Sequence, residues 1–443
     1  MRPRGVSIPW AVAGGAALAA TIAAAGPRAA RAQVAAAPPP LAARIHAQAQ
    51  AARAPSTVDG DVIAAASRWT ADRRTILTDA VVRTAGGDVD VVELGGHVDG
   101  LTMMVIHGAP RLEPGQHVRL TVHPTEAMAG GRTTRPRWVV DDAELLAAAG
   151  AAGPGAATPY VRTPTNKTNV PVYWAKSCAQ VWRAKEGTTA IAGDAEQAVM
   201  SQSMDVWNTG VAGCSYIDLV DMGTVDSEVG NDGKNLIKIR DTEWCRPAVD
   251  GNDMHCFSPQ AAGITTLLFV DDASNDRNGE LIDADVELNG VDFAISTNGQ
   301  TLSDAGCQAD LENTLVHELG HLLGLGHTCL GPADPPRTDG DGNPVPLCSE
   351  TTDARIVDAT MYPFQVCGET TKASLSDDDI AAICAIYPKA NDPGECGPPD
   401  DLSGGCCDQG AAGPRGSLAL ALAVGLGFGV RRRRVPARAR RGV

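Results

Sequence analysis

None of the twelve cysteines in this chain precedes Cys178, and ten of them fall between Cys178 and Cys396. In an exported protein that distribution reads as disulfides stapling one region, up to five bridges whose pairing the spacing leaves open. Cys406 and Cys407 stand apart, near the C-terminus.

Both ends of the chain read as addresses. Residues 1–32 carry Arg2 and Arg4, an apolar run from Val6 to Ala25, and Ala30-Arg31-Ala32 before Gln33, the pattern of a secretory signal peptide with a small-residue cleavage site. At the other end, the apolar run from Ser417 to Val430 is shorter than the roughly 20 residues a spanning helix needs, and Arg431 to Arg434 would keep its end in the cytosol. The order of cysteine, apolar segment and arginine cluster resembles the tripartite MYXO-CTERM sorting signals of myxobacteria. That resemblance implies cutting near Cys406 or Cys407, a C-terminal sorting machinery as partner, and transient membrane association through 417–430. It also implies display on, or release from, the bacterial cell surface, with a simple C-terminal anchor as the alternative. Either way the body is extracytoplasmic. A formal net charge of −16, more negative still without the arginine-rich ends, argues against a nucleic-acid partner.

Between the ends, residues 33–57 form an Ala/Pro-rich linker, and 58–146 carry short β-like runs that predict a small all-β domain. In "HVRLTVH", Val118, Leu120 and Val122 alternate with polar neighbours as in a half-buried strand. His97, His107, His117 and His123 fall in turns or on the outward parity, so they are expected to face solvent. A low-complexity linker at 147–159 ends this part. From 160 to 390 strand and helix patterns alternate, which predicts an α+β domain; 391–443 is linker and sorting segment. Within 160–390, helices are expected at "GDAEQAVMSQSMDVWNTG", over 309–324, and at "SLSDDDIAAICAIYP", where Ser376 and Asp379 suit a capping box.

The chemistry concentrates in "HELGHLLGLGH", 317–327. His317 and His321, four apart, share one helix face and can reach one metal ion, while Glu318 projects beside them. Leu311, Leu315, Leu319 and Leu322 give the helix an apolar side. Gly324 permits a sharp departure from helical geometry that brings His327 round as a third nitrogen ligand. Three neutral imidazoles leave one zinc position for water, the mark of a catalytic site. Zn2+ would lower the water's pKa to about 7, with Glu318 as general base and then acid.

These residues resemble the zinc signature of the metzincin metalloproteases. "DATMYPF" resembles that family's methionine turn, with Met361 as the supporting methionine, and Leu375-Ser376-Asp377-Asp378-Asp379-Ile380 is similar to the start of the last matrixin helix. The resemblance spans about 160 to 388. It implies a metzincin-like catalytic domain, with a mixed twisted sheet, an active-site helix and a C-terminal helix, preceded by the small all-β domain. It implies a secreted zinc metalloendopeptidase acting on protein or peptide substrates; the alternative is a catalytically idle, surface-displayed binding module on the same scaffold. Two departures stand out: Cys329 to Ala359 intervenes before Met361, and the propeptide cysteine of latent matrixins has no counterpart before 178.

"ITTLLFVDD" is either the edge strand that aligns a peptide in the cleft or an ordinary interior strand. Ca2+ is a second candidate cofactor, at Asp339 and Asp341 or on Glu280, Asp283, Asp285 and Glu287; a bare polar turn and an outward acidic face are the simpler readings. Cys245, His255 and Cys256 suit a second zinc site less well than a short disulfide loop.

Overall fold

Five strands drawn from residues 56–145 close into a barrel. The computed structural model describes residues 8–9, 55–107, 111–125, 137–145, 160–248, 254–297, 302–303, 306–332 and 334–397. The expected signal peptide and linkers therefore lie almost wholly outside the described residues, as do 398–443 with the apolar run 417–430. Residues 1–400 form one compact unit and 401–443 a second.

The barrel strands are β1 (Ser56–Trp69), β2 (Ile76–Thr84) and β3 (Gly87–Leu94), followed, after two intervening strands, β4 (Gly96–Val98) and β5 (Leu101–Ile106), by β6 (His117–Pro124) and β7 (Arg137–Leu145). Closure runs β1-β2-β3-β7-β6, antiparallel except for the parallel β3/β7 pair. Val118, Leu120 and Val122 point inward, where they pack with Val62, Val82 and Val91. This is the face that their alternation assigns.

A seven-stranded sheet carries the rest. It comprises β8 (Cys178–Ala184), β9 (Asp218–Val225), β10 (Asn235–Arg240), β11 (Gly263–Val270) and β12 (Leu281–Asn289), in the order β9-β8-β10-β12-β11-β5-β4. The β4/β5 hairpin thus leaves the barrel region of the sequence and extends this sheet. Helices α1 (Ala195–Val211) and α2 (Leu311–Leu322) pack together, sharing one apolar core with the sheet. Met200, Met204 and Trp207 of α1 and Leu311, Leu315, Leu319 and Leu322 of α2 are all buried in it. Trp207 Nε1 donates to the Val316 carbonyl at 2.9 Å, tying the two helices together.

The expected α+β class and the metzincin-like catalytic domain are overturned. The chain is mostly β, 40% strand against 16% helix, with four α-helices among the described residues, a closed five-stranded barrel and several sheets. The physical reason lies in the connections. Among the described residues from β8 to β12 only α1 serves as a helical crossover; the other links are loops and short strands, one of them pinned by the Cys245–Cys256 disulfide. "VPVYWAKS" forms only isolated bridges at Pro171 and Tyr173, and no named strand. Helix α1 runs one residue past the expected stop at Gly210, whereas the last helix, α3 (Asp377–Ile386), begins at the expected Ser376/Asp379 capping box.

Five disulfides join Cys178 to Cys396, Cys214 to Cys384, Cys245 to Cys256, Cys307 to Cys367 and Cys329 to Cys348. They mark an oxidising, extracytoplasmic environment. No helix among the described residues is long and apolar enough to cross a membrane.

The acidic run on β12 does not face outward as expected. Asp283, Asp285 and Glu287 are 3%, 2% and 0% exposed, and Glu280 is 4%. Asp285 accepts from the backbone N–H groups of Gly230 and Leu236, and Asp283 from that of Gly233, while Glu280 pairs with Arg277. Burial pushes Asp285 up to about 7 and Asp283 well above the ordinary carboxylate range. Glu287 sits between Arg240 and Arg246; burial alone would raise its pKa, but the two guanidinium groups outweigh this and hold it below its usual value. Removing that carboxylate strands two buried cations. Glu287→Ala is therefore expected to cost about 3–5 kcal/mol of stability, measured as a lowered urea midpoint; an unchanged midpoint would show that the triad is energetically idle.

Candidate metal centre

Helix α2 starts at Asp310, whose side chain accepts from the Asn313 backbone N–H, and it is buried from Asn313 to Leu322. Its end is fixed from outside. Gly324, at φ 98°, takes the left-handed turn that stops the helix, and a Cβ there would lie 3.1 Å from the Val172 carbonyl oxygen. Trp174 Nε1 and the Tyr387 hydroxyl donate to the last carbonyls, Leu322 and Leu323. Beyond the turn, Leu325–Gly326 pairs antiparallel with Val161–Arg162, and Thr163 Oγ1 donates to the Leu325 carbonyl. This short ladder fixes the backbone that carries His327.

His317, His321 and His327 converge, and a fourth imidazole joins them. His107, just past the end of β5, places its Nε2 3.3 Å from that of His317 and 3.0 Å from that of His327. His321 Nε2 stands 3.2 Å from His317 Nε2 and 3.0 Å from His327 Nε2. The four ligand atoms all lie within 4.8 Å of one another. Two nitrogens about 2.0–2.1 Å from one zinc ion, at a tetrahedral angle, stand about 3.3 Å apart, so these spacings suit a shared ion.

The ring orientations argue the same way. His317 Nδ1 lies 2.6 Å from the Thr360 carbonyl oxygen and His321 Nδ1 lies 2.8 Å from that of Leu325. A carbonyl only accepts, so each Nδ1 carries the proton and each Nε2 presents a lone pair. Two lone pairs 3.2 Å apart repel unless a cation lies between them. Burial, followed by the neighbouring imidazoles, holds His107, His317 and His327 well below the usual histidine pKa; burial brings His321 to about 4. Neutral imidazole is the form a metal binds. Among first-row and alkaline-earth ions, an all-nitrogen donor set suits zinc and other borderline metals and excludes Ca2+ from this site.

Glu318 is fully buried beside the cluster. Thr265 Oγ1 donates to its Oε2 at 2.6 Å; Oε1 has no hydrogen-bond partner and lies 3.8 Å from His107 Nε2. Burial pushes its carboxyl up to about 8, and a cation held by the neighbouring imidazoles would favour the ionised form that a base requires. Gly263 makes room for it, since a Cβ there would stand 2.7 Å from Oε1. Met361 is 2% exposed, and its side chain packs on the Gly320 backbone between the two ligand turns of α2. The neighbouring Thr360 supplies the carbonyl that orients His317, and the Met361 carbonyl accepts from the Thr328 N–H at 3.2 Å. The 359–362 turn thus buttresses the ligands without touching a metal position.

His107 was expected in solvent, but its side chain is 4% exposed. His123 is also buried, bonded to Asp141, and His97 is half-buried against Thr102; His117 is exposed beside Asp59 and Asp61. A lone histidine after an apolar strand carries no ligand spacing, and His107 is 210 residues from its nearest co-ligand in sequence. Its one local oddity, a left-handed backbone at φ 66°, does not show in the sequence. Cys245 and Cys256 bond to each other, which also removes Cys256 as a ligand beside His123 and Asp141. Asp339 accepts from the N–H groups of Asp341 and Asn343, as a polar turn does. The insert from Cys329 closes on Cys348, and its buried Arg337 adds to the depression of His321 and His327.

No family model matches the chain, and no curated protein is significantly similar to it.

A Cβ at Gly320 would collide with Met361 Sδ and sit 3.0 Å from Trp207 Cζ2. Gly320→Ala is expected to cost about 1–3 kcal/mol by overpacking and to loosen His317 and His321. The check is metal retention against a chelator alongside the thermal midpoint; full retention at an unchanged midpoint would contradict the packing described.

Proposed function

We propose that the protein is a zinc-dependent endopeptidase, with His317, His321 and His327 as metal ligands and Glu318 as general base. The observation that carries this reading is the convergence of imidazole nitrogens beside a buried carboxylate that keeps one oxygen without a hydrogen bond. When bound, zinc supplies Lewis-acid activation of water and of the scissile carbonyl. The chain's own residues do the rest. Thr265 holds Glu318 Oε2, leaving Oε1 to take a proton from the attacking water and later to give it to the departing amine nitrogen. The products are a free carboxylate and a free amine.

The likeness of 317–327 and of the turn at Met361 to metzincin signatures supports the same chemistry, as a likeness of motifs and not of the overall fold. Protein or peptide substrates follow from it. The N-terminal 1–32 pattern and the C-terminal 391–443 pattern support secretion, followed by handling by a C-terminal sorting machinery and display at, or release from, the bacterial cell surface. The five disulfides suit that route.

A second reading has one specific observation in its favour. Four protein ligands mark a closed, structural zinc site, and His107 completes such a set. On that reading the protein is a catalytically idle binding module. Glu318 separates the two, since a structural site has no use for a buried carboxylate lacking a partner on one oxygen.

The test is hydrolysis of a diverse peptide library by the zinc-loaded protein, assayed intact and after limited proteolysis and read by mass spectrometry. Glu318→Gln is expected to lower kcat by about 10²–10⁴-fold with zinc content unchanged. Equal turnover by the variant would sink the mechanism, and no turnover in either state would favour the idle module.

A further inference from the structure

Strand β11 has β12 on one side and β5 on the other. Without β5, the edge beside the metal centre would present free backbone groups, the arrangement to which an extended peptide adds as an extra strand. In this chain β5 already fills that edge, antiparallel, with Leu101 opposite Val270 and Ile106 opposite Thr265. Thr265 is the residue that holds Glu318. The next residue along the strand, His107, turns into the metal cluster with its backbone at φ 66°. A left-handed non-glycine residue is strained and persists where its surroundings dictate it.

We propose that Leu101–Ile106 and His107 form a built-in inhibitor of the metal centre: the strand takes the place of an extended peptide substrate, and His107 takes the fourth ligand position that water needs. The proposal rests on the peptidase reading for its meaning, but its geometry stands apart from it. A tethered strand competes at an effective concentration on the order of millimolar, so free peptides would be shut out of the intact chain. Contacts around the strand hold it in place. Thr102 Oγ1 donates to Asp271 at 2.9 Å, Leu94 and Val105 pack against Trp244, Phe257 and Ile264, and Arg74 pairs with Asp232.

The segment is also releasable. No cysteine precedes Cys178, so none of the five disulfides ties the first 177 residues to the remainder. One cut within 147–159 would leave the barrel and β5 bound by non-covalent contacts alone. This would release the metal centre without the cysteine that the chain lacks.

The experiment uses the full chain loaded with Co2+ in place of zinc, its visible spectrum titrated with acetohydroxamate, a small bidentate oxygen ligand. The intact protein should show a spectrum insensitive to the ligand. His107→Ala should change the cobalt spectrum and raise the apparent affinity for acetohydroxamate by at least about tenfold, because the competent fraction is no longer suppressed. The native sequence with an engineered protease site within 147–159 should behave the same way after cleavage, a route that does not depend on the variant folding. The proposal is overturned if the intact protein already binds acetohydroxamate as tightly as the cleaved one, or if folded His107→Ala keeps the parent spectrum. If cleavage opens the metal to acetohydroxamate but no peptide is hydrolysed, the inhibitor stands and the peptidase reading falls.

Discussion

Imidazole lone pairs held 3.0–3.3 Å apart in a buried space are the constraint on which the centre of this molecule turns. Such an arrangement is repulsive by itself. Its orientation is enforced by backbone carbonyls, that of Thr360 on His317 and that of Leu325 on His321, and those carbonyls are held in turn by the Met361 turn and by the short ladder to Val161–Arg162. A bound cation would turn the repulsion into a tie joining helix α2, the turn after Gly324 and the end of β5. Burial adds the second element, keeping the rings neutral and leaving Glu318 one oxygen without a partner.

The sheet explains how residues so far apart meet. Helix α2 lies over the sheet through an apolar core, which places His317 and His321 beside the end of β11. The β4/β5 hairpin, arising within the barrel part of the sequence, extends the same sheet beyond β11 and delivers His107 to the same point. The β4/β5 hairpin thus couples the N-terminal part of the chain to the histidine cluster through strand pairing, with no disulfide joining the region before Cys178 to the cross-linked one. Glu287 and the other buried β12 carboxylates lie elsewhere in this sheet, Glu287 paired with Arg240 of the sheet and with Arg246 from outside it.

Much of the local structure was legible in the sequence. The spacing of His317, His321 and His327 around Gly324 describes a helix and a sharp turn, and both exist; Val118, Leu120 and Val122 face the barrel core as their alternation requires. Ser376 and Asp379 form the capping box their spacing suggests. What was not legible depends on long-range pairing. The mostly β character arises because most described links within the large sheet are loops and not helices, and the place of β4 and β5 in that sheet was hidden because nothing local in "LTMMVIHG" says which sheet it will extend. The burial of Asp283, Asp285 and Glu287 was hidden for a related reason: their partners are backbone N–H groups of a loop and two arginines on other strands, so alternation read as an exposed face describes a second interior instead. His107 is the sharpest case, because a single ligand supplied from 210 residues away has no periodicity to betray it.

Zinc K-edge X-ray absorption on the purified full-length protein bears most directly on this account. It predicts one zinc per chain, in a first shell of nitrogen at about 2.0–2.1 Å, with outer-shell scattering from four imidazole rings. A sulfur shell, or scattering from three rings or fewer in the intact chain, would contradict it.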